Sequence, residues 1–168
     1  MLDKNRSLKY NGRRKNIQFC TEKKYKMKIT RESDYALRIM RSLAIKNSLT
    51  DAKTLSEETA VPLRFTVKIL NKLVVGGIVR SRKGATGGYA LNGKPEEITM
   101  RSVIEITEGP LVISRCLDSD FVCEQDGCKN HCSCFYNRVF DEINVLIAKK
   151  LESITLLDVI RETNGESK

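Results

Sequence analysis

The chain holds no tryptophan, one histidine and three prolines in 168 residues. No apolar run approaches the roughly 20 residues that a membrane-spanning helix needs, so membrane insertion is not expected. The N-terminus is basic but no apolar stretch follows it. A secretory signal is therefore not expected, and the expected location is the cytoplasm. No nucleophile–base pair is evident, so catalysis is not expected. The glycines at 84, 87 and 88 lack the G-x-x-x-x-G-K-[ST] order of a phosphate-cradling loop. Strand-like sequence follows them rather than a helix, which argues against nucleotide hydrolysis. The sequence also lacks internal repeats and low-complexity segments.

Charge and thiol are what it has. The formal net charge is +9, and residues 1–26 alone carry nine lysines or arginines against Asp3 and Glu22. That stretch has no apolar periodicity and reads as a basic, disordered arm, with Met27 a natural start for the folded part. A basic arm can also favour nucleic acid, because neutralising phosphates releases counterions. A hydrophobic fraction of 40% is enough for a core. Five of the six cysteines fall between Cys116 and Cys134. In a chain without a secretion signal, clustered thiols more often hold a metal than form disulfides.

Periodicity gives an element order. Thr30 caps a helix near 31–46, with Ala36, Ile39, Met40 and Leu43 on its buried face. Asp51 caps a short second helix carrying Leu55 and Ala60. Pro62 suits the first position of a third, which Gly76 and Gly77 end. Its inner face is expected to hold Leu63, Val67, Leu70 and Val74. Residues 78–81 and 89–91 form a hairpin around a glycine-rich tip. Thr99 caps a helix through Met100, Val103, Ile104 and Ile106, ended by Gly109 and Pro110. Residues 111–134 show no period and read as a loop. A long helix follows near 135–152, striped by Tyr136, Phe140, Ile143, Ile147 and Leu151. Ser153 or Thr155 begins a last short helix with Leu156, Leu157 and Ile160.

Short helices, a tight turn and a hairpin, in that order, describe a winged helix-turn-helix. The expected fold class is mainly α with a small β-wing. The third helix would enter the major groove of double-stranded DNA, presenting Arg64, Phe65, Thr66 and Lys68, with Lys72 further along. The wing would add Arg80, Arg82 and Lys83 beside Gly87, Gly88 and Tyr89. Small residues let backbone approach a phosphate, while the cations attract it.

Three segments carry a specific resemblance: MKITRESDYALRIMRSLA (27–44), LNKLVVGGIVRSRKGATGGYAL (70–91) and EEITMRSVIEITEGPL (96–111). They resemble the Rrf-two family of bacterial winged-helix transcription regulators, of the IscR and NsrR type. The resemblance implies an operator-binding homodimer whose long C-terminal helices cross between subunits. The implied organisation is an arm over 1–26 and a DNA-binding region over 27–95. A linking helix and cysteine-rich sensor loop would cover 96–134, the dimerisation and final helices 135–162, and a tail 163–168.

Several family members hold an iron–sulfur cluster through three cysteines in that loop. By resemblance, Cys116 and Cys123 match the first two and Cys134 the third. Cys128 and Cys132 are extra, so Cys128 competes for the middle position or supplies a fourth ligand. Where one branch of the family places a ligating histidine, this chain has Asn137. Asp34 matches the partner-supplied aspartate of the nitric-oxide-sensing branch, and it also suits the first turn of a helix. The expected cofactor is a 2Fe-2S or 4Fe-4S cluster, since iron–sulfur clusters take thiolate ligands. Zinc, with His131 joining the thiols, is an alternative. So is a metal-free regulator responding to thiol oxidation or a small molecule. The signal would be redox state, nitric oxide or iron supply.

Overall fold

A computed structural model describes residues 29–84, 86–118 and 134–165, together with two short strands nearer the N-terminus. These strands, β1 (Leu8–Lys9) and β2 (Gln18–Phe19), pair antiparallel with Leu8 opposite Phe19. Two-residue strands carry no alternation, so pattern reading cannot find them. The rest of the expected basic arm lies outside the described residues.

Five helices and a wing follow, joined by a short 3-10 turn: α1 (Arg31–Lys46), α2 (Ala52–Thr59), α3 (Leu63–Val75), β3 (Val79–Arg82), β4 (Gly88–Leu91), α4 (Met100–Glu108), the turn at Arg115–Leu117, and α5 (Phe135–Glu152). A sixth helix, α6 (Leu156–Thr163), ends the described chain. Side-chain caps fix several of the starts. Thr30 accepts from the Ser33 amide, and Asp51 accepts from the amides of Lys53 and Thr54. Thr99 and Thr155 each close a capping box, with Ser102 and Asp158. Each box satisfies amide groups that the first turn leaves without a partner.

The core lies among α1, α2, α3, α4 and α6. Ile39, Met40, Leu43, Leu55, Ile69, Leu70, Leu73 and Val103 are fully buried there. On α3 the buried face is Thr66, Ile69, Leu70 and Leu73, and this corrects the expected inner face. Leu63 and Val67 are exposed, and of the four expected residues only Leu70 is fully buried. The helix is apolar on most sides, so two registers about one residue step apart, ~100°, fit its pattern.

The wing packs against the end of the α1–α2 connection. Thr50 and Tyr89 exchange backbone hydrogen bonds of 2.9 and 2.8 Å, extending the two-stranded sheet by one residue. A Cβ at Gly88 would lie 2.7 Å from the Thr50 carbonyl oxygen, so this approach needs glycine. Similarly, a Cβ at Gly76 would meet the Ile106 side chain at 2.7 Å, and its absence lets the end of α3 close on α4. The chain after α5 returns to pair Thr155 with Thr99, which seats α6 against α1. No residue of α5 is fully buried.

Candidate nucleic-acid interface and thiol segment

The outward face of α3 carries Leu63, Arg64, Val67, Lys68 and Asn71, all exposed. The Arg64 guanidinium sits 4.8 Å from the centre of the Phe65 ring. Phe65 itself is half-buried, tilted against Tyr35 at a centroid distance of 6.2 Å. Thr66, expected to face the groove, has no exposed surface. Its hydroxyl donates to the Val61 carbonyl at 3.1 Å, which is how a polar side chain is tolerated there. Thr66 is therefore a core residue and cannot touch a base. Leu63, Val67 and Asn71 take the exposed positions. Sequence reading missed them because two apolar residues were assigned to the core.

In the wing, Val79 pairs with Leu91 and Arg82 with Gly88. Val79 is buried, while Arg80, Ser81, Arg82 and Lys83 all face solvent. The expected cations thus share one exposed edge, with Gly87 and Gly88 half-buried at the turn. Tyr89, opposite Ser81 near the turn, is half-buried and packs on the core, so it ties β4 to the body of the domain.

A polar knot joins α3 to the last turn of α4. Lys72 of α3 donates to the Thr107 carbonyl at 2.7 Å and pairs with Glu32 of α1 at 2.8 Å. Lys68 adds a weaker contact to Glu32 at 3.4 Å. The hydroxyls of Ser33 and Thr107 meet at 2.8 Å in a buried position. Thr30 donates through its hydroxyl to the Glu108 carboxylate at 2.7 Å, and Ser33 donates to the same oxygen.

The Lys72 hydrogen bond holds the Glu32 carboxyl below its ordinary value of 4.5, against an opposing push from burial. A depressed carboxyl stabilises the fold above its unfolded-state value and loses that contribution as pH falls through the folded-state value. The stability difference between wild type and Glu32→Gln should therefore shrink as pH drops below about 4.5. Urea midpoints measured from about pH 7 down to about pH 3 check this. A difference that stays constant over the range removes Glu32 from the linkage.

Beyond Gly109 and Pro110 the chain reaches Cys116 in its 3-10 turn, which packs against α5. The Asn137 side-chain amide, in the first turn of α5, donates to the Cys116 carbonyl. Cys134 is the N-cap of that helix and makes no side-chain capping bond. Neither cysteine is in a disulfide and both are half-buried, with the Cys116 sulfur 3.2 Å from the Ser114 hydroxyl. Soft thiolate donors suit iron–sulfur ligation, and the positive end of the helix dipole favours the negative charge such a ligand set carries. Cys123, Cys128, His131 and Cys132 lie outside the described residues. Asp34 forms an ion pair with Arg38 at 2.8 Å, on a face of α1 that helps line a 220 Å³ cavity with α4 and α6. Among the described residues, no group of three or more His, Cys, Asp or Glu side chains is arranged to hold a metal ion.

The solved structure of CymR, the global cysteine regulator of Bacillus subtilis, is similar to this fold. Its TM-score is 0.65 at 26% sequence identity, covering 82% of this chain and 98% of that one. In sequence, the chain is 28% identical over 142 residues to the HTH-type transcriptional regulator CymR of Bacillus subtilis, covering 83% of this chain and 94% of the relative. It is 29% identical over 140 residues to the HTH-type transcriptional regulator NsrR of Bacillus licheniformis, covering 80% of this chain and 92% of the relative. These relatives are regulators, not enzymes. A family model described as an iron-dependent transcriptional regulator matches residues 29–162, and the chain belongs to that family, the Rrf2 family of DNA-binding transcription regulators.

Proposed function

We propose that this regulator reads an operator through the exposed face of α3 and the cationic wing, works as a homodimer in the cytoplasm, and senses redox state, nitric oxide or iron supply through an iron–sulfur cluster in the thiol segment. Cys116 and Cys134 are the outer ligands and Cys123 or Cys128 the middle one. Asp34 of a second subunit, or a spare cysteine, is the fourth. A cluster held there supplies the signal-responsive centre.

The observation that carries this reading is the double use of the last turn of α4. Its Thr107 carbonyl is bonded to Lys72 on the recognition helix, and its Glu108 carboxylate to Thr30 and Ser33 on α1. The chain leaves that turn directly for the cysteine segment. A rearrangement of the segment therefore acts on a turn that is tied to α3, as well as on the start of α5. Packed interfaces switch between discrete arrangements, so a small pull changes the tilt of α3. In a dimer, two such helices must match half-sites about 34–36 Å apart, so tilt controls operator affinity. The likeness to CymR, the global cysteine regulator of Bacillus subtilis, supports a second reading, a cluster-free regulator that responds to thiol oxidation or a small molecule.

Binding measurements on wing variants test the interface. Arg82→Ala and Lys83→Ala are expected to weaken binding to every duplex alike. Each should lower the slope of log affinity against log salt by about one. Arg64→Ala should instead relax preference at one base pair, at a cost of about 1–3 kcal/mol. Unchanged affinity and salt slope in all three variants would remove this face as the interface.

A further inference from the structure

We infer that Leu63 and Val67 read thymine methyl groups in the major groove and so help set the operator sequence. This rests on the operator-reading function proposed above. Both residues stand on the outward face of α3, 47% and 37% exposed, while Thr66, Ile69, Leu70 and Leu73 complete its core face. Single exposed apolar residues need no explanation. These two occupy successive turns of one helix face, with exposed Arg64 and Lys68 beside them. The cations draw that face toward phosphates, and the apolar pair then meets the groove floor.

Neither side chain can donate or accept a hydrogen bond, so neither can read the polar edges of bases. The thymine C5-methyl is the apolar group in the major-groove pattern, and apolar side chains are its usual contact. Both residues also lie in the N-terminal half of α3, the part of a recognition helix that reaches base edges. Four residues advance a helix about 6 Å, and base pairs are spaced about 3.4 Å apart. The two methyls read should therefore lie about two base-pair steps apart in each half-site.

The experiment uses the full chain, purified anaerobically, to select duplexes from a random-sequence pool. Each thymine of the selected duplex is then replaced in turn by deoxyuridine. This deletes one methyl and leaves every hydrogen-bonding group in place. Fluorescence anisotropy at one fixed salt concentration reads the affinity. In each half-site, two replacements about two base pairs apart should weaken binding about fourfold each, matching the loss of one buried methyl-sized group. The penalty at one position should vanish in Val67→Ala and at the other in Leu63→Ala. Both variants should keep the wild-type salt slope, because neither removes a phosphate contact.

Equal binding of thymine and deoxyuridine duplexes at every position, by a chain that still selects a consensus, overturns methyl reading and leaves operator reading standing. Penalties that persist in both variants assign the methyls to other side chains and overturn it as well. Failure to select any consensus overturns operator reading itself, and this inference with it.

Discussion

Cys116→Ala and Cys134→Ala are each expected to lose nearly all bound iron and sulfide after anaerobic reconstitution. The two thiols approach the start of α5 from opposite sides of the cysteine segment. The Asn137 amide holds the Cys116 backbone, and Cys134 caps the same helix without spending its sulfur on the cap. Removing either thiol would leave an iron atom without one of its soft anionic donors. Cys132→Ala should be tolerated, since Cys132 and Cys134 are separated by a single residue and such thiols rarely face one iron. Asp34→Ala should leave iron bound but lost more quickly to a chelator, because a carboxylate oxygen is the weaker partner of the set. Iron and sulfide counts on the four variants and the wild type decide among the readings. Full iron in both Cys116→Ala and Cys134→Ala sinks the ligand assignment. Stoichiometric zinc without sulfide in the wild type moves the site to zinc, and neither metal nor sulfide moves it to thiol chemistry.

The caps show what a sequence makes legible. Thr30, Asp51, Thr99 and Thr155 each precede an amphipathic stretch, and each caps the expected helix. A cap is a local event, decided by one side chain and the amides two or three residues on. The buried face of α3 is not local. Leu63, Val67, Leu70 and Val74 make as good a stripe as Thr66, Ile69, Leu70 and Leu73. The choice fell to packing against α1 and α2, and to the Val61 carbonyl that accepts from Thr66. The polar knot was illegible for the same reason. Glu32 and Lys72 are far apart in sequence, and each reads alone as a solvated charge. Only the crossing of α1, α3 and α4 brings them to 2.8 Å. In the wing, the glycines marked a turn, but the need for glycine at position 88 arises from the Thr50 carbonyl of another segment.

The homodimer proposed above is expected to fall to monomers at micromolar concentration in Leu146→Asp. The helix α5 has 18 residues and none is fully buried within one chain, although its sequence is rich in large apolar residues. The expected stripe is divided by the fold. Ile147 and Leu151 are half-buried within their own chain, whereas Tyr136, Phe140 and Ile143 stay exposed. Leu146, outside the expected stripe, is 67% exposed and widens the uncovered surface. A helix this long, about 27 Å, with apolar residues facing out along its length is suited to pack against a second copy of itself. Two-fold symmetry uses each residue twice. Losing two buried leucines costs about 3–6 kcal/mol, or roughly two to four orders of magnitude in the dissociation constant. The carboxylate placed in the seam adds to that loss. Because Leu146 is exposed in the single chain, the variant should keep its helical circular dichroism. Light scattering after gel filtration reads the mass directly. Its operator affinity should fall steeply as well, since a monomer holds only one half-site. A variant that remains dimeric places the seam on another face of the molecule.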